Sequence, residues 1–325
     1  MPALHYGRAQ GLSPTKPMNY IDLYNSGELY QRLKSAYARL ASCDLCPHDC
    51  RINRLKGETG ICSSGFKPRI ASANLHRGEE PPISGTRGSG TIFFSGCSLN
   101  CRFCQNFPIS QLGNGENISC RELAARMLKL QKLRAHNINF VTPTHFLPQI
   151  LAALWLAVPQ GFSLPIVWNS SGYEKVDALQ LLEDIVSIYL PDMKYSDEGD
   201  SVEISSAPDY KDINRQAVLE MFRQTGHLQV DDNGIALKGL IIRHLVLPGG
   251  KAGSSSTLRW IAENIGRETH IALMSQYFPA GEAVHTAGIN RPLNQEEYDE
   301  ATAALEANGL ENGWGQELDE ERSAV

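Results

Sequence analysis

A chain of 325 residues with 42% hydrophobic residues is too long for a small stapled domain and too apolar for a disordered one; its size suits one α/β barrel with an appendage. A net charge of −6 leaves no basic footprint for nucleic acid, and no apolar run approaches the roughly 18 residues of a membrane span. Residues Met1 to Met18 lack the apolar stretch of a secretory signal, so a cytoplasmic protein is expected.

The chain carries eight cysteines, seven of them in two tight groups. That grouping is metal-site behaviour in a reducing compartment rather than a disulfide framework. Residues 1–42 read as a helical lead-in, with Leu29, Leu33, Ala36 and Leu40 at helical spacing from Glu28 onward. Cys43, Cys46, Cys50 and Cys62 follow at C-x2-C-x3-C-x11-C, inside a metal-binding segment of residues 43–75. Four soft ligands close a tetrahedral zinc site or hold an auxiliary iron–sulfur cluster, and spacing does not separate the two. Structural zinc is slightly preferred, because the segment is too short for a core of its own. Among four cysteines, His48 is expected to be a solvated loop residue.

A short strand is predicted over residues 67–75. Glu79 and Glu80, ahead of Pro81-Pro82, either line a site or face solvent; the solvated reading is expected, since Glu is seldom buried unpaired. The glycine-rich stretch Gly85 to Gly90 precedes a strand instead of opening a helix, which makes it an entry turn and not a phosphate loop.

The apolar run Thr91 to Phe94 then delivers Cys97, Cys101 and Cys104 at C-x3-C-x2-C. Closed zinc sites and ordinary clusters want four protein ligands. Three thiolates in eight residues can hold three irons of a [4Fe–4S] cluster and leave the fourth open to a substrate or cofactor. The competing reading is a zinc knuckle with a borrowed ligand, or three unrelated thiols.

From there β-rich and helical runs alternate. Strands are predicted at 91–94, 138–141, 165–168, 188–190, 240–247 and 271–274. Helices are predicted from the capping box Ser119 to Glu122, and over 148–157, 177–184, 208–224, 256–265 and 295–307. Six such units imply parallel strands with right-handed crossovers, an open (βα)6 partial TIM-like barrel over residues 76–317, and a solvated acidic tail at 318–325. Chemistry in such sheets lies past the strands' C-terminal ends. Polar residues stand at every one: Thr142, Thr144 and His145; Asn169 and Ser170; Asp192, Met193 and Lys194; Arg243 and His244; Gln276. Asp192 and Lys194 share one face of an extended chain and are suited to pair; Arg243 suits a carboxylate. The two histidines serve as proton shuttles or, more ordinarily, as hydrogen-bonded core residues.

Residues 93–106 resemble the core of the radical S-adenosylmethionine (radical SAM) enzymes, and in particular pyruvate formate-lyase-activating enzyme and its relatives. A branch of these shares an upstream Cys-x-x-Cys-Pro segment, a Gly-Glu-Glu-Pro-Pro stretch (Gly78 to Pro82) and an Asn-Gly-Trp (Asn312 to Trp314). The resemblance implies an oxidoreductase or lyase in which Cys97, Cys101 and Cys104 ligate a [4Fe–4S] cluster and SAM chelates its open iron. Phe103 then lies near the adenine, and Asp192 and Met193 match an acid–methionine pair that helps hold a monovalent cation. It further implies reductive cleavage of SAM to a 5′-deoxyadenosyl radical, a flavodoxin or ferredoxin as electron donor, and hydrogen abstraction from a protein or peptide. A glycyl radical enzyme is one such substrate; another peptide, a small molecule or a non-catalytic electron carrier are the alternatives. Two departures stand out. Thr142-Pro143-Thr144 replaces the Gly-Gly-Glu type of motif that receives the SAM amino group, so hydroxyls take that role or the amine is held elsewhere, and Asn169-Ser170 replaces Asp-Thr.

Overall fold

The computed structural model describes residues 19–318. Most of the expected acidic tail and the first part of the expected lead-in fall outside that range. The strands are β1 (Arg69–His76), β2 (Ser89–Phe94), β3 (Glu116–Asn117), β4 (Ile138–Val141), β5 (Ile166–Ser170), β6 (Ile188–Pro191), β7 (Gln229–Val230), β8 (Ala236–Leu245), β9 (His270–Met274) and β10 (Gly313–Gly315). They form one sheet in the order β10-β9-β8-β6-β5-β4-β2-β1-β3, with β7 attached to β8. Every neighbouring pair from β2 to β10 is parallel, while β1 and β3 add an antiparallel edge. Along the parallel part, spatial order follows chain order, so each crossover moves the chain one place onward in one direction.

The central strands explain why they lie in the middle. All five residues of β5 and all four of β6 are buried, as strands covered on both faces must be. Ile138 and Phe140 of β4, Phe94 of β2 and Trp168 of β5 feed the main core, where Phe94 and Phe146 sit 5.4 Å apart. Helices Cys120–Lys132 and Leu147–Ala157 supply its outer layer. The first begins in the predicted capping box, in which the Ser119 hydroxyl accepts from the Glu122 amide and the Glu122 carboxylate accepts from the Ser119 amide. Helices Tyr210–Thr225, Ser254–Asn264 and Gln295–Ala307 complete the later units.

Several elements differ from expectation. A first helix, Tyr20–Ser26, is capped by Asn19 and anchored by the Tyr20 hydroxyl, which donates to the Leu164 carbonyl at 2.8 Å. The expected helix at 177–184 is only two short turns, Val176–Leu179 and Gln180–Leu182. Helix Glu198–Ser205 and strand β10 were not foreseen; the first is too polar to show a periodicity, and a Gly-Trp-Gly triplet carries no strand signal. No helix among the described residues is long and apolar enough to cross a membrane.

Phe140 is wholly buried in this core, its ring 5.9 Å from that of Phe94. Truncation to alanine is expected to cost about 3–5 kcal/mol through lost burial and a residual cavity, read as a lower midpoint in chemical denaturation with an unchanged slope.

Candidate active site

The three-cysteine loop leaves the C-terminal end of β2 and is pinned by its own backbone. The Asn100 and Arg102 amides donate to the Ser205 and Ile204 carbonyls, and the Arg102 carbonyl accepts from Ala283. Each sulfur meets a polar hydrogen: Cys97 Sγ accepts from the Leu99 amide at 3.3 Å, Cys101 Sγ from the Ser205 hydroxyl at 2.9 Å, and Cys104 Sγ lies 3.1 Å from the Ser110 hydroxyl. Burial, and then the neighbouring thiols, push the Cys97 thiol well up; burial pushes Cys101 up to about 11, against the pull of Lys194. All three cysteines line one cavity of about 200 Å³.

Among the described residues no three His, Cys, Asp or Glu side chains converge closely enough for a single metal ion. Three sulfurs spread around one cavity, each already met by a hydrogen-bond donor, instead fit a multi-iron cluster with one position open to the cavity.

Other strand ends face the same space. Thr142 after β4, Asn169 and Ser170 of β5, Asp192 and Lys194 after β6, Arg243 of β8 and Gln276 after β9 all line it, as does Phe103. Lys194 Nζ is 2.5 Å from Asp192 Oδ2, the expected pair. Burial works against the Lys194 charge, but Asp192 and the Cys101 sulfur outweigh it and hold its pKa above the usual lysine value. Thr142 has φ +56°, a left-handed backbone that a β-branched residue enters only under strain.

Two expected residues lie elsewhere. Thr144 turns away from the cavity, its hydroxyl donating to Glu174 Oε1 at 2.9 Å. Met193 is buried and held by its backbone, its amide donating to the Arg243 carbonyl at 2.9 Å and its carbonyl accepting from His244 Nδ1 at 2.6 Å. For Thr144 the polar partner beside the strand end, invisible in the sequence, decides the direction of the side chain.

Glu174 is the first residue that sequence reasoning missed. Its buried carboxylate also accepts from the Trp168 indole at 2.9 Å and the Ser170 hydroxyl at 2.6 Å, fixing the ends of β4 and β5 together. Burial holds its pKa above the carboxylate range in spite of these donors. Glu79 and Glu80 are the second miss, and the solvated expectation is corrected: both side chains are only 8% exposed. They line a second cavity of about 340 Å³, which shares Phe93, Asn106, Val141, Asn169, Arg243 and Gln276 with the first. Arg243 Nε lies 3.4 Å from Glu80 Oε1 and 3.8 Å from Asp192 Oδ1, joining the two spaces.

The upstream cysteines approach the site from outside. His48 is not solvated in the expected way: its Nε2 lies 2.6 Å from the Ser98 carbonyl, inside the three-cysteine loop. Gly96 has φ +85°, and a Cβ there would strike the Cys62 carbonyl oxygen, so only glycine allows the two segments this contact. Cys46 is pushed up to about 12 by burial, with Cys62, Cys50 and Cys43 adding to it. The four thiols are thus neighbours, yet no three of them converge as a preformed single-ion site, and the expectation of zinc goes without support.

No family model matches the chain. The sequence is 31% identical over 281 residues to the uncharacterized protein MJ0674 of Methanocaldococcus jannaschii, covering 83% of this chain and 76% of that one. The chain belongs to that protein's family. Among solved structures, it resembles a radical SAM methyltransferase from Sphaerobacter thermophilus at a TM-score of 0.47, with 14% identity, over 92% of this chain and 95% of the other. A structure of TYW1 with a lysine-pyruvate adduct bound gives 0.41 and 12% identity, over 72% and 77% of the two chains. Likenesses so distant decide nothing about chemistry.

The histidines behind the site are neutral core residues. His145 Nε2 donates to the Ser95 carbonyl at 3.0 Å, and burial lowers its pKa to about 3. His244 bridges the Met193 carbonyl and the Ser254 hydroxyl, and burial lowers its pKa to about 4 from 6.5. Between those two values the unfolded chain binds the proton and the folded one does not, so stability falls as pH falls through that window. Urea denaturation across the window is expected to show that decline, and a His244→Gln variant to show a shallower one.

Proposed function

We propose that this protein is a radical SAM enzyme with the cysteine loop on a partial barrel. The observation that carries the reading is the convergence of Cys97, Cys101 and Cys104, past the first parallel strand, on one cavity with polar residues from five other strand ends. A cofactor that binds a three-thiolate cluster also needs groups for its own charges, and both are present on one rim. When bound, a [4Fe–4S] cluster and SAM together supply reductive cleavage of SAM and a radical that abstracts hydrogen from a substrate.

The chain's own residues bind and orient. The three cysteines hold the cluster, with Ser205, Ser110 and the Leu99 amide donating to their sulfurs. Lys194 and Arg243 offer positive charge to a carboxylate, and Asp192 keeps both in place. Asn169, Ser170 and Gln276 offer neutral hydrogen-bonding groups, and Phe103, packed edge-on to Tyr277 at 5.7 Å, offers an apolar wall for the adenine. Thr142 stands where related enzymes carry glycine, and its left-handed backbone suits that comparison.

Beyond this core, the upstream likeness supports an activating-enzyme-like role: hydrogen abstraction from a protein or peptide, including a glycyl radical enzyme, with a cytoplasmic flavodoxin or ferredoxin as donor. Action on another peptide or a small molecule is the second reading, and the adjoining cavity beside Glu79 and Glu80 favours it. The four cysteines of segment 43–75, docked on the catalytic loop, suit a second cluster or a structural zinc. A mere electron carrier would have no use for either cavity.

Anaerobically reconstituted wild-type protein is expected to hold about four irons per chain at the three-cysteine site and to convert SAM to 5′-deoxyadenosine under reduction. Cys101→Ala is expected to lose that cluster and that product together. Cleavage of SAM by the variant at the wild-type rate would end the assignment.

A further inference from the structure

In the second cavity two acids face one arginine. Glu79 and Glu80 enter the cavity from the segment before Pro81, and Arg243 enters from β8. Arg243 is shared, since Asp192 also draws on it from the other side. Glu79 has the imidazole of His76, its Nδ1 3.3 Å from Glu79 Oε1, and a share of Arg243; burial and the neighbouring Glu80 still hold its pKa above the usual carboxylate value. Glu80 Oε2 is buried and makes no hydrogen bond among the described residues. A carboxylate oxygen taken from water without a partner is strongly disfavoured. Such a group, on a residue that lines a cavity of about 340 Å³, has a partner to gain from something that enters.

The two acids are held in advance. Glu80 takes the extended backbone, φ −49° and ψ 142°, that a following proline favours, and the Pro81-Pro82 pair stiffens the turn. Its carbonyl accepts from the Ile83 and Ser84 amides at 2.8 and 3.0 Å, and the Glu79 amide donates to the Ser84 hydroxyl at 3.0 Å. The carboxylates therefore lose little freedom when a partner arrives.

Resting on the radical SAM reading above, we infer that Glu79 and Glu80 form a receptor for a cationic nitrogen group, an ammonium or guanidinium, carried by the substrate. Such a group supplies N–H donors to the free oxygen and positive charge to the excess acid. The acids line the second cavity alone, whereas the cysteines, Asp192 and Lys194 line only the first. That division places SAM at the first and the substrate's charged end at the second, with Asn169, Arg243 and Gln276 between.

The test uses the reconstituted holoprotein saturated with SAM. N-acetyl-lysinamide and N-acetyl-argininamide, with the neutral N-acetyl-norleucinamide as control, are titrated by ligand-observed NMR and calorimetry. At least one charged probe is expected to bind where the neutral one does not. Glu80→Gln and, independently, Glu79→Gln are expected to weaken that probe by about tenfold or more, the worth of a buried charge-assisted contact. Equal binding of charged and neutral probes, or none by any probe, overturns the proposal without need of a variant. A loss of SAM affinity in place of probe affinity would assign the acids to SAM's own ammonium and overturn the substrate assignment. Formation of 5′-deoxyadenosine, followed in the same preparation, separates the cases: if it is absent in the wild type the radical SAM reading fails, and if it is present while the probes fail only the receptor does.

Discussion

The buried Arg243 guanidinium is the joint on which the site depends. It rises from β8, reaches Glu80 on one side and Asp192 on the other, and lines both cavities. Backbone contacts reinforce the join, since Asp192 pairs with Arg243 at the end of β6 and the Met193 amide donates to the Arg243 carbonyl. Removing such a cation would leave two largely buried carboxylates without their shared partner, which is far more costly than the pair is stabilising. The charge is therefore better understood as fixing geometry than as contributing net stability. It keeps the chain before Pro81, the end of β6 and the end of β8 in one arrangement, and so keeps two cavities contiguous.

A second set of contacts binds the upstream cysteine segment to the same rim. Arg54, almost fully buried, donates to the His145 carbonyl at 2.7 Å and the Gly65 carbonyl at 2.7 Å, while His145 donates in turn to Ser95, the residue before Gly96. His48 reaches Ser98, and Lys175 holds Asp49 at 2.9 Å. The three-cysteine loop is thus clamped from outside by the segment that carries the other four thiols. Whatever that segment holds, a change in its packing is transmitted to the loop through short, directional contacts and not through a flexible linker.

The parallel strands were legible because each is a short apolar run with β-branched or aromatic residues, and β4 is found at the residues the pattern indicates. The cysteine loop was legible because cysteine is scarce and its spacing specific. What could not be read were contacts made by residues distant in sequence. Glu79 and Glu80 read as solvated because composition alone says that carboxylates stay wet, and only the fold brings Arg243 to them from more than a hundred residues away. Glu174 was passed over for a different reason: two of its donors, Trp168 and Ser170, lie close in sequence, but only the turn after β5 folds its side chain back onto them and onto Thr144. Thr144 was assigned to the cavity on position, but an acceptor behind the strand turned it away. His48 was misjudged because its partner is a backbone carbonyl, which has no signature in a sequence at all.

The two buried acid groups differ in a way that bears on function. Glu174 is saturated: three donors meet its two oxygens, and a carboxylate so satisfied is a structural fixture that holds strand ends in register. Glu80 is not saturated, and it lines a cavity. Glu174 is the more deeply buried and Glu80 nearly so, and the count of donors separates them further. A protein that can complete the hydrogen bonding of one carboxylate with a tryptophan and two hydroxyls had the means to complete the other. Leaving one oxygen open beside an arginine already shared with Asp192 keeps a standing cost in the empty site, and a cationic group on an incoming molecule removes it. The same imbalance that makes the cavity unfavourable when it is empty makes it selective for positive charge.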